Sequence, residues 1–314
     1  MLRRGHEGTT QIAIVGLGFI GGSIGLALRQ AGGEVRIIGH DRDPSQAKQA
    51  QKMGAVDDVR WNLIRACEEA DMIVLALPPE GLRATLEAVA ADLKPGCLVT
   101  DTATVKAEVL HWAEELLPPH VAFVGGDPIV QTPGSGLDGA RADLFQGQLY
   151  CLSPAPNAPS AAVQLMVDWV GRLGAYPYFL DAEEHDGLRA AVDHLPALLT
   201  TVLLGEVARS PAPREMKRLR GQVLTQIMAL MGDEAGTYRT LCLTNASAIA
   251  HWLQTMRDRL GELQQLIQAA DAEGLTRLFE QALGGEEPEP TARELPRPSM
   301  WGQWFGVPQR LRRE

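Results

Sequence analysis

Basic charge, aromatic side chains, paired cysteines and long apolar runs are all scarce in this chain of 314 residues. Lysine and arginine number 29 against 39 aspartates and glutamates, a formal net charge of −10. A nucleic-acid-binding face needs a basic stripe, so no nucleic-acid partner is expected. The four cysteines, Cys67, Cys97, Cys151 and Cys242, form no C-x-x-C pair. Zinc, cluster and dithiol chemistry are therefore without a motif. The thiols read as reduced and mostly buried, as in a cytoplasmic protein. His6, His40, His111, His120, His185 and His251 lack metal-ligand spacing, and no metal is expected. No G-x-S-x-G nucleophile elbow is present. No stretch approaches the ~20 apolar residues of a membrane span. Met1 to Thr10 is too polar for a signal peptide. A cytoplasmic location without a membrane span is the expectation.

Short β-branched runs alternate with helical patterns through the first half. Gln11 to Val15, Glu34 to Gly39, Asp71 to Leu77, Cys97 to Asp101 and Val121 to Val124 read as strands. Helical patterns follow at 20–31, 44–53, 79–92 and 104–117. Gln148 to Leu152 and Tyr176 to Leu180 read as edge strands flanking a helix at 158–173. This alternation implies βαβ units and a doubly wound, mainly parallel sheet. After Asp181 the strand signal stops. Glu183 to Ala208 reads as one long helix that Pro196 kinks or splits. A break at 209–213 and further helices to Leu283 complete the pattern. The expected organisation is a flexible start at 1–10, an α/β Rossmann domain at 11–180, an all-α domain at 181–283, and a flexible tail at 284–314. The tail is rich in Pro and Glu, and its end holds Trp301, Trp304 and Phe305.

Gly16, Gly18 and Gly21 form G-x-G-x-x-G between the first strand and the first helix. The first glycine permits the tight turn, the second lets a pyrophosphate approach the backbone, and the third lets helix and strand pack closely. The helix start supplies free N–H groups for the phosphates. Asp41 ends the second strand, twenty residues after Gly21. A carboxylate there accepts hydrogen bonds from the adenine-ribose hydroxyls of NAD and repels the 2′-phosphate of NADP. Arg42 beside it is able to cover that phosphate, so NADP stays open as the less favoured cofactor.

The run IAIVGLGFIGGSIGLAL resembles the opening of the prephenate and arogenate dehydrogenases. So do LALPPEGLRATLEAVAADLKPGCLVTDTATVK, FVGGDPIVQTPGSGLDGARADLFQGQLYCLSP and HDGLRAAVDHLPALL. The resemblance spans about residues 11 to 265. It implies a Rossmann domain followed by a helical domain that packs across a twofold axis, hence a homodimer. It implies a small-molecule substrate: oxidative decarboxylation of a cyclohexadienyl acid in tyrosine biosynthesis, with NAD as hydride acceptor. It makes Gly16, Gly18, Phe19, Ile20, Gly21, Asp41, Arg42, Leu77, Pro78 and Asp101 candidate cofactor contacts. The family's D-x-x-S-x-K motif is here Asp101, Thr104 and Lys106.

Several family positions are altered. The catalytic histidine that polarises the substrate's ring hydroxyl is replaced by Asp127. An aspartate also accepts a hydroxyl hydrogen bond, but its ordinary pKa is about 3.9 against about 6.5 for histidine. Asp193 and Ala197 stand where the family has serine and histidine. The stretch Thr225 to Met231 lacks the family's substrate-binding arginine; Arg218, Arg220 or Arg239, from a neighbouring turn, is a candidate to replace it, though the resemblance assigns none of them. His194, Thr104 and Lys106 are retained and, with Asp127, are the catalytic candidates. His194 reads equally as a helix histidine satisfied by Asp193 or a backbone group. His185–Asp186 reads as a cap of the long helix. The alternatives to the family reaction are a dehydrogenase of another small acid, or a catalytically impaired dinucleotide-binding protein.

Overall fold

The computed structural model describes residues 10–130, 136–230 and 235–284. The expected flexible segments at 1–10 and 284–314 lie outside the described residues, apart from Thr10 and Gly284. The chain runs β1 (Thr10–Val15), α1 (Phe19–Ala31), β2 (Val35–His40), α2 (Pro44–Lys52), β3 (Asp58–Val59), α3 (Leu63–Cys67), β4 (Met72–Leu75), α4 (Pro79–Val89) and β5 (Leu98–Asp101). It continues with α5 (Ala107–Leu116), β6 (Ala122–Ile129), β7 (Leu149–Pro154), α6 (Ser160–Arg172) and β8 (Tyr176–Phe179). Among the described residues these strands form one sheet in the order β3-β2-β1-β4-β5-β6-β7-β8. Every pairing is parallel except β6 with β7.

Both faces of the sheet are covered, which is why its strands read as continuous apolar runs. Ile12, Ile14, Ile37, Met72 and Val74 pack on one face with Ile24 and Leu28 of α1 and Met166 and Val170 of α6. Ala13, Val15, Ile38, Ile73, Leu75 and Val99 pack on the other with Leu82 and Leu86 of α4 and Val109 and Trp112 of α5. The two-residue strand period sorts these residues to opposite faces.

Three elements differ from expectation. β3 and α3 carry too few residues to show a period. Asn62 starts α3 by accepting the Arg65 N–H at 3.0 Å. Strand β6 runs five residues past its expected end, because 124–129 pair antiparallel with β7. Gly125, Gly126 and Pro128 give no local strand signal there. The extension places Asp127 inside the sheet.

The helical part contains α7 (Ala182–Arg189), a π turn (Ala190–His194), α8 (Leu195–Arg209), α9 (Pro213–Leu219), α10 (Gln222–Leu230), α11 (Ala235–Thr244), α12 (Ala246–Gln268) and α13 (Ala272–Leu283). Pro196 neither splits nor stops the long helix. Proline has no N–H to donate and its ring crowds the carbonyl four residues back. The helix responds by widening just before it: Leu195 N–H bonds Ala190 O, five residues back. The resulting run Ala182–Arg209 is long and apolar enough to cross a membrane by length and composition, contrary to the expectation from the sequence, and only 17% of its apolar window is buried.

The residues up to Met256 form one compact unit. Ala190, Leu241 and Ile249 join the hydrophobic cluster on the α4–α5 face of the sheet. A second unit begins at Arg257. It contains α13, capped by the Asp271 carboxylate on Gly274 N–H at 2.9 Å.

Candidate active site

The glycine loop between β1 and α1 is shaped by backbone contact. A Cβ on Gly16, whose φ is +91°, would lie 2.2 Å from Ala76 O, and one on Gly21 would lie 1.9 Å from Gly16 O. Gly18 differs: a Cβ there would meet nothing within 4 Å. Its backbone borders open space at the start of α1, where no side chain caps the helix and no acidic residue occupies the first turn. Uncapped N–H groups with a positive helix end form an anion site. Phe19 is buried and Ile20 half-buried in that first turn.

Asp41 follows β2 directly and is tied to the same loop. Its Oδ2 accepts Leu17 N–H at 2.8 Å and Gln46 Nε2 at 2.9 Å, and its Oδ1 accepts Asp43 N–H at 2.8 Å. Arg42 is exposed beside it, Leu77 is half-buried, and Pro78 is exposed at the start of α4. Together the open glycine, the uncapped helix and the carboxylate at the end of β2 fit a dinucleotide.

Asp101 and Lys106 do not face open space as candidate contacts would. Both side chains are fully buried and paired with each other. Lys106 Nζ also donates to Gly126 O at 2.8 Å, and the Asp101 carboxylate accepts the N–H groups of Ala103 and Gly126 at 2.9 and 3.1 Å. Burial pushes the Asp101 carboxyl above its ordinary range, against the pull of Lys106. The pair fastens the β5–α5 loop to β6, with half-buried Thr104 held in that loop. The charged oxygens of Asp101 and the Lys106 nitrogen thus all have partners inside the protein.

Asp127 is 2% exposed. Its Oδ2 lies 3.1 Å from His185 Nε2 and 3.1 Å from Arg189 Nε. The arginine N–H points off the oxygen, so that contact is an ion pair without a hydrogen bond. His185 Nδ1 lies 2.9 Å from Asp186 Oδ1. The imidazole therefore bridges two carboxylates. Burial disfavours its charge, but the hydrogen bonds it donates to Asp127 and Asp186 outweigh it and hold its pKa above the ordinary value.

His185–Asp186 does not cap the long helix. Asp181 does that, accepting Glu183 N–H at 2.9 Å. Asp186 instead caps α5 across the fold, accepting Lys106 N–H at 2.6 Å and Ala107 N–H at 2.9 Å. A carboxylate reaches this helix start from 80 residues away, which local spacing does not reveal. A usable sequence signal was the i, i+4, i+8 series His185, Arg189, Asp193, which shares one helix face. Arg189 joins Asp193 at 2.9 Å as well as Asp127. Arg218, Arg220 and Arg239 are all exposed.

His194 is 1% exposed. Asp193 does not satisfy it, since the nearest carboxylate oxygen is 4.0 Å from Nε2. Its Nδ1 lies 3.2 Å from the Asn245 amide nitrogen, which also donates to Asp186 O at 2.8 Å. Burial pushes the His194 pKa down to about 4, against the opposing charge of Asp193. Asn245, between α11 and α12, joins this cluster through contacts that no local pattern in the chain announces.

A cavity of about 440 Å³ lies elsewhere, lined by Gly96, Leu98, His120, Ala122, Ala158 and neighbouring residues. These residues include the beginnings of β5 and β6, at the opposite end of the parallel strands from the glycine loop. Among the described residues no group of three or more His, Cys, Asp or Glu side chains is arranged to hold a metal.

Two family models match the chain. The prephenate dehydrogenase nucleotide-binding domain matches residues 24–178, and the prephenate dehydrogenase dimerization domain matches 181–281. A prephenate dehydrogenase of Bacillus subtilis (strain 168) is 28% identical over 299 residues, covering 95% of this chain and 81% of the relative. A probable prephenate dehydrogenase, NovF, of Streptomyces niveus is 32% identical over 265 residues, covering 83% of this chain and 70% of the relative. The solved structure of prephenate dehydrogenase from A. aeolicus, in complex with hydroxyphenyl propionate and NAD+, superposes with a TM-score of 0.82 at 24% identity, covering 89% of this chain and 98% of that one.

Proposed function

The chain belongs to the prephenate dehydrogenase family, and on that premise we propose that it oxidatively decarboxylates a cyclohexadienyl acid, prephenate or arogenate, using NAD. The observation that carries this reading is the buried Asp127 carboxylate, held between His185 and Arg189, where the resemblance puts the family's histidine. Bound NAD would supply the hydride acceptor. The backbone from Gly16 to Gly21 would receive its pyrophosphate and Asp41 its adenine ribose; the negative charge of Asp41 disfavours NADP. Arg42, Leu77 and Pro78 border that site.

Asp127 Oδ1 is the acceptor for the substrate's ring hydroxyl. Its other oxygen faces His185 Nε2 and Arg189 Nε, each at 3.1 Å. As hydride leaves the ring carbon, positive charge grows toward the hydroxyl, and a carboxylate facing it lowers the barrier. Loss of the ring carboxylate as CO2 then completes aromatisation. Thr104 supports the site from the β5–α5 loop.

The helical part pairs two copies of the chain in a cytoplasmic homodimer. Its exposed apolar residues on α7 and α8 support this reading, as does the dimerization-domain match.

Asp193 and Ala197, in place of the family's serine and histidine, favour a second reading: the same chemistry on a different small acid. The deciding experiment is NADH formation by purified protein offered prephenate and arogenate separately. Turnover of either supports the proposal. NAD binding without turnover of either leaves the different-acid or binding-protein reading in its place.

A further inference from the structure

We propose that Asn245 is a positioning residue that fixes His194 as the Nε2–H tautomer, making His194 a hydrogen-bond donor to a carboxylate or carbonyl oxygen of the substrate and not the base of the reaction. The reference to a substrate rests on the dehydrogenase reading above; the tautomer does not.

The inference begins with the Asn245 amide. Its nitrogen lies 2.8 Å from the backbone oxygen of Asp186. A carbonyl oxygen only accepts, so the group facing it is the NH2 and not the amide oxygen. The same nitrogen lies 3.2 Å from His194 Nδ1. The NH2 has two hydrogens, one for each neighbour. Nδ1 must therefore offer its lone pair, since an N–H there would meet another N–H. A neutral imidazole with a bare Nδ1 carries its hydrogen on Nε2. Burial keeps the ring neutral at physiological pH, with a pKa near 4.

Nε2–H is then a buried donor, and it has no hydrogen-bond partner among the described residues. The Asp193 oxygen at 4.0 Å is out of reach. Buried donors are almost always satisfied, by protein, water or ligand. Asn245 ties this ring to the backbone of Asp186, whose carboxylate meets His185, the partner of Asp127. The π turn contributes directly: it ends at His194 and begins after Arg189, setting how the two side chains project from one helix. With Nδ1 occupied and Nε2 protonated, His194 has no free lone pair with which to take a proton. It is suited to an oxygen carrying negative charge.

The first test is NMR of the histidine ring nitrogens in uniformly labelled protein, with His194 assigned by loss of its signals in His194→Gln. The Nε2–H pattern is expected for the wild type, and a mixture of tautomers for Asn245→Ala. An Nδ1–H pattern in the wild type, or an unchanged pattern in Asn245→Ala, overturns the proposal. The second test is kinetic. A glutamine side chain places an N–H near the Nε2 position but cannot act as a base. His194→Ala is expected to lose about tenfold or more in kcat/KM, mostly through KM. His194→Gln is expected to restore most of that loss. Equal losses in the two variants overturn the donor role. If the wild type turns over neither prephenate nor arogenate, the dehydrogenase reading fails by itself, and the NMR result alone then decides the proposal.

Discussion

Asp127 Oδ2 lies 3.1 Å from His185 Nε2, joining the middle of β6 to the first turns of α7 inside the protein. The contact raises the His185 pKa over the opposition of burial. A histidine whose folded pKa exceeds its unfolded value of about 6.5 contributes stability that is complete below that value. The contribution is lost as pH rises through the folded pKa. Asp127→Asn removes the charge that sustains it. The decline in Tm from about pH 6.5 upward should therefore be shallower in Asp127→Asn than in wild type. The same variant should lower kcat at least about tenfold if Asp127 receives the substrate hydroxyl. Thermal melts across the pH range and steady-state kinetics check the two parts.

His194 acts in the opposite direction. Its folded pKa is lowered to about 4 by burial. Its contribution is present above about pH 6.5 and disappears as pH falls toward 4, up to about 3 kcal/mol. His194→Gln does not titrate in this range. Its urea-unfolding free energy should fall less than that of wild type between these pH values; an identical fall would contradict the buried neutral imidazole.

The glycine loop separates folding from binding. Gly21→Ala puts a methyl group 1.9 Å from Gly16 O, while Gly18→Ala puts one in open space. Gly21→Ala should lower stability by roughly 2 kcal/mol or more through overpacking. Gly18→Ala should melt within a few degrees of wild type yet bind NAD at least about tenfold more weakly, because the pyrophosphate needs that space. Calorimetric titration with NAD and NADP in parallel also measures the preference set by Asp41.

Lys106 and Asp101 form a buried pair. Lys106→Met leaves a buried carboxylate without its partner, which costs roughly 3–5 kcal/mol in comparable cases. Adding Asp101→Asn should recover part of the loss, since the amide oxygen still accepts a backbone N–H. Denaturant titrations of the single and double variants test this. A single variant as stable as wild type but catalytically dead would instead return Lys106 to the reacting groups.

Val192 and Val202 are 71% and 63% exposed on the α7–α8 run. An apolar surface of this kind is covered in a twofold dimer. Wild type should sediment as a dimer at micromolar concentration, and Val202→Lys with Leu203→Lys should shift it toward monomer. A wild-type monomer that floats with lipid vesicles would point to a membrane surface in place of a second copy.

The sequence by itself determined the sheet, its covering helices and the dinucleotide loop. Each rests on local signals: a two-residue period buried on both faces, glycines at fixed offsets, and a carboxylate ending β2. The resemblance to the family, carried by runs along the chain, marked Asp127 as altered. Tertiary structure decided what Asp127 touches. His185 looked like a cap because it stands near a helix start, yet it is buried against a strand 58 residues away in sequence. Lys106 read as a catalytic candidate, and the fold pairs its charge with Asp101 and a carbonyl of β6. Asn245 carried no signal at all, because its importance lies in meeting His194 and the Asp186 carbonyl at once. Hydrogen bonds between distant segments leave no period in the chain; only the packed fold selects which donor meets which acceptor.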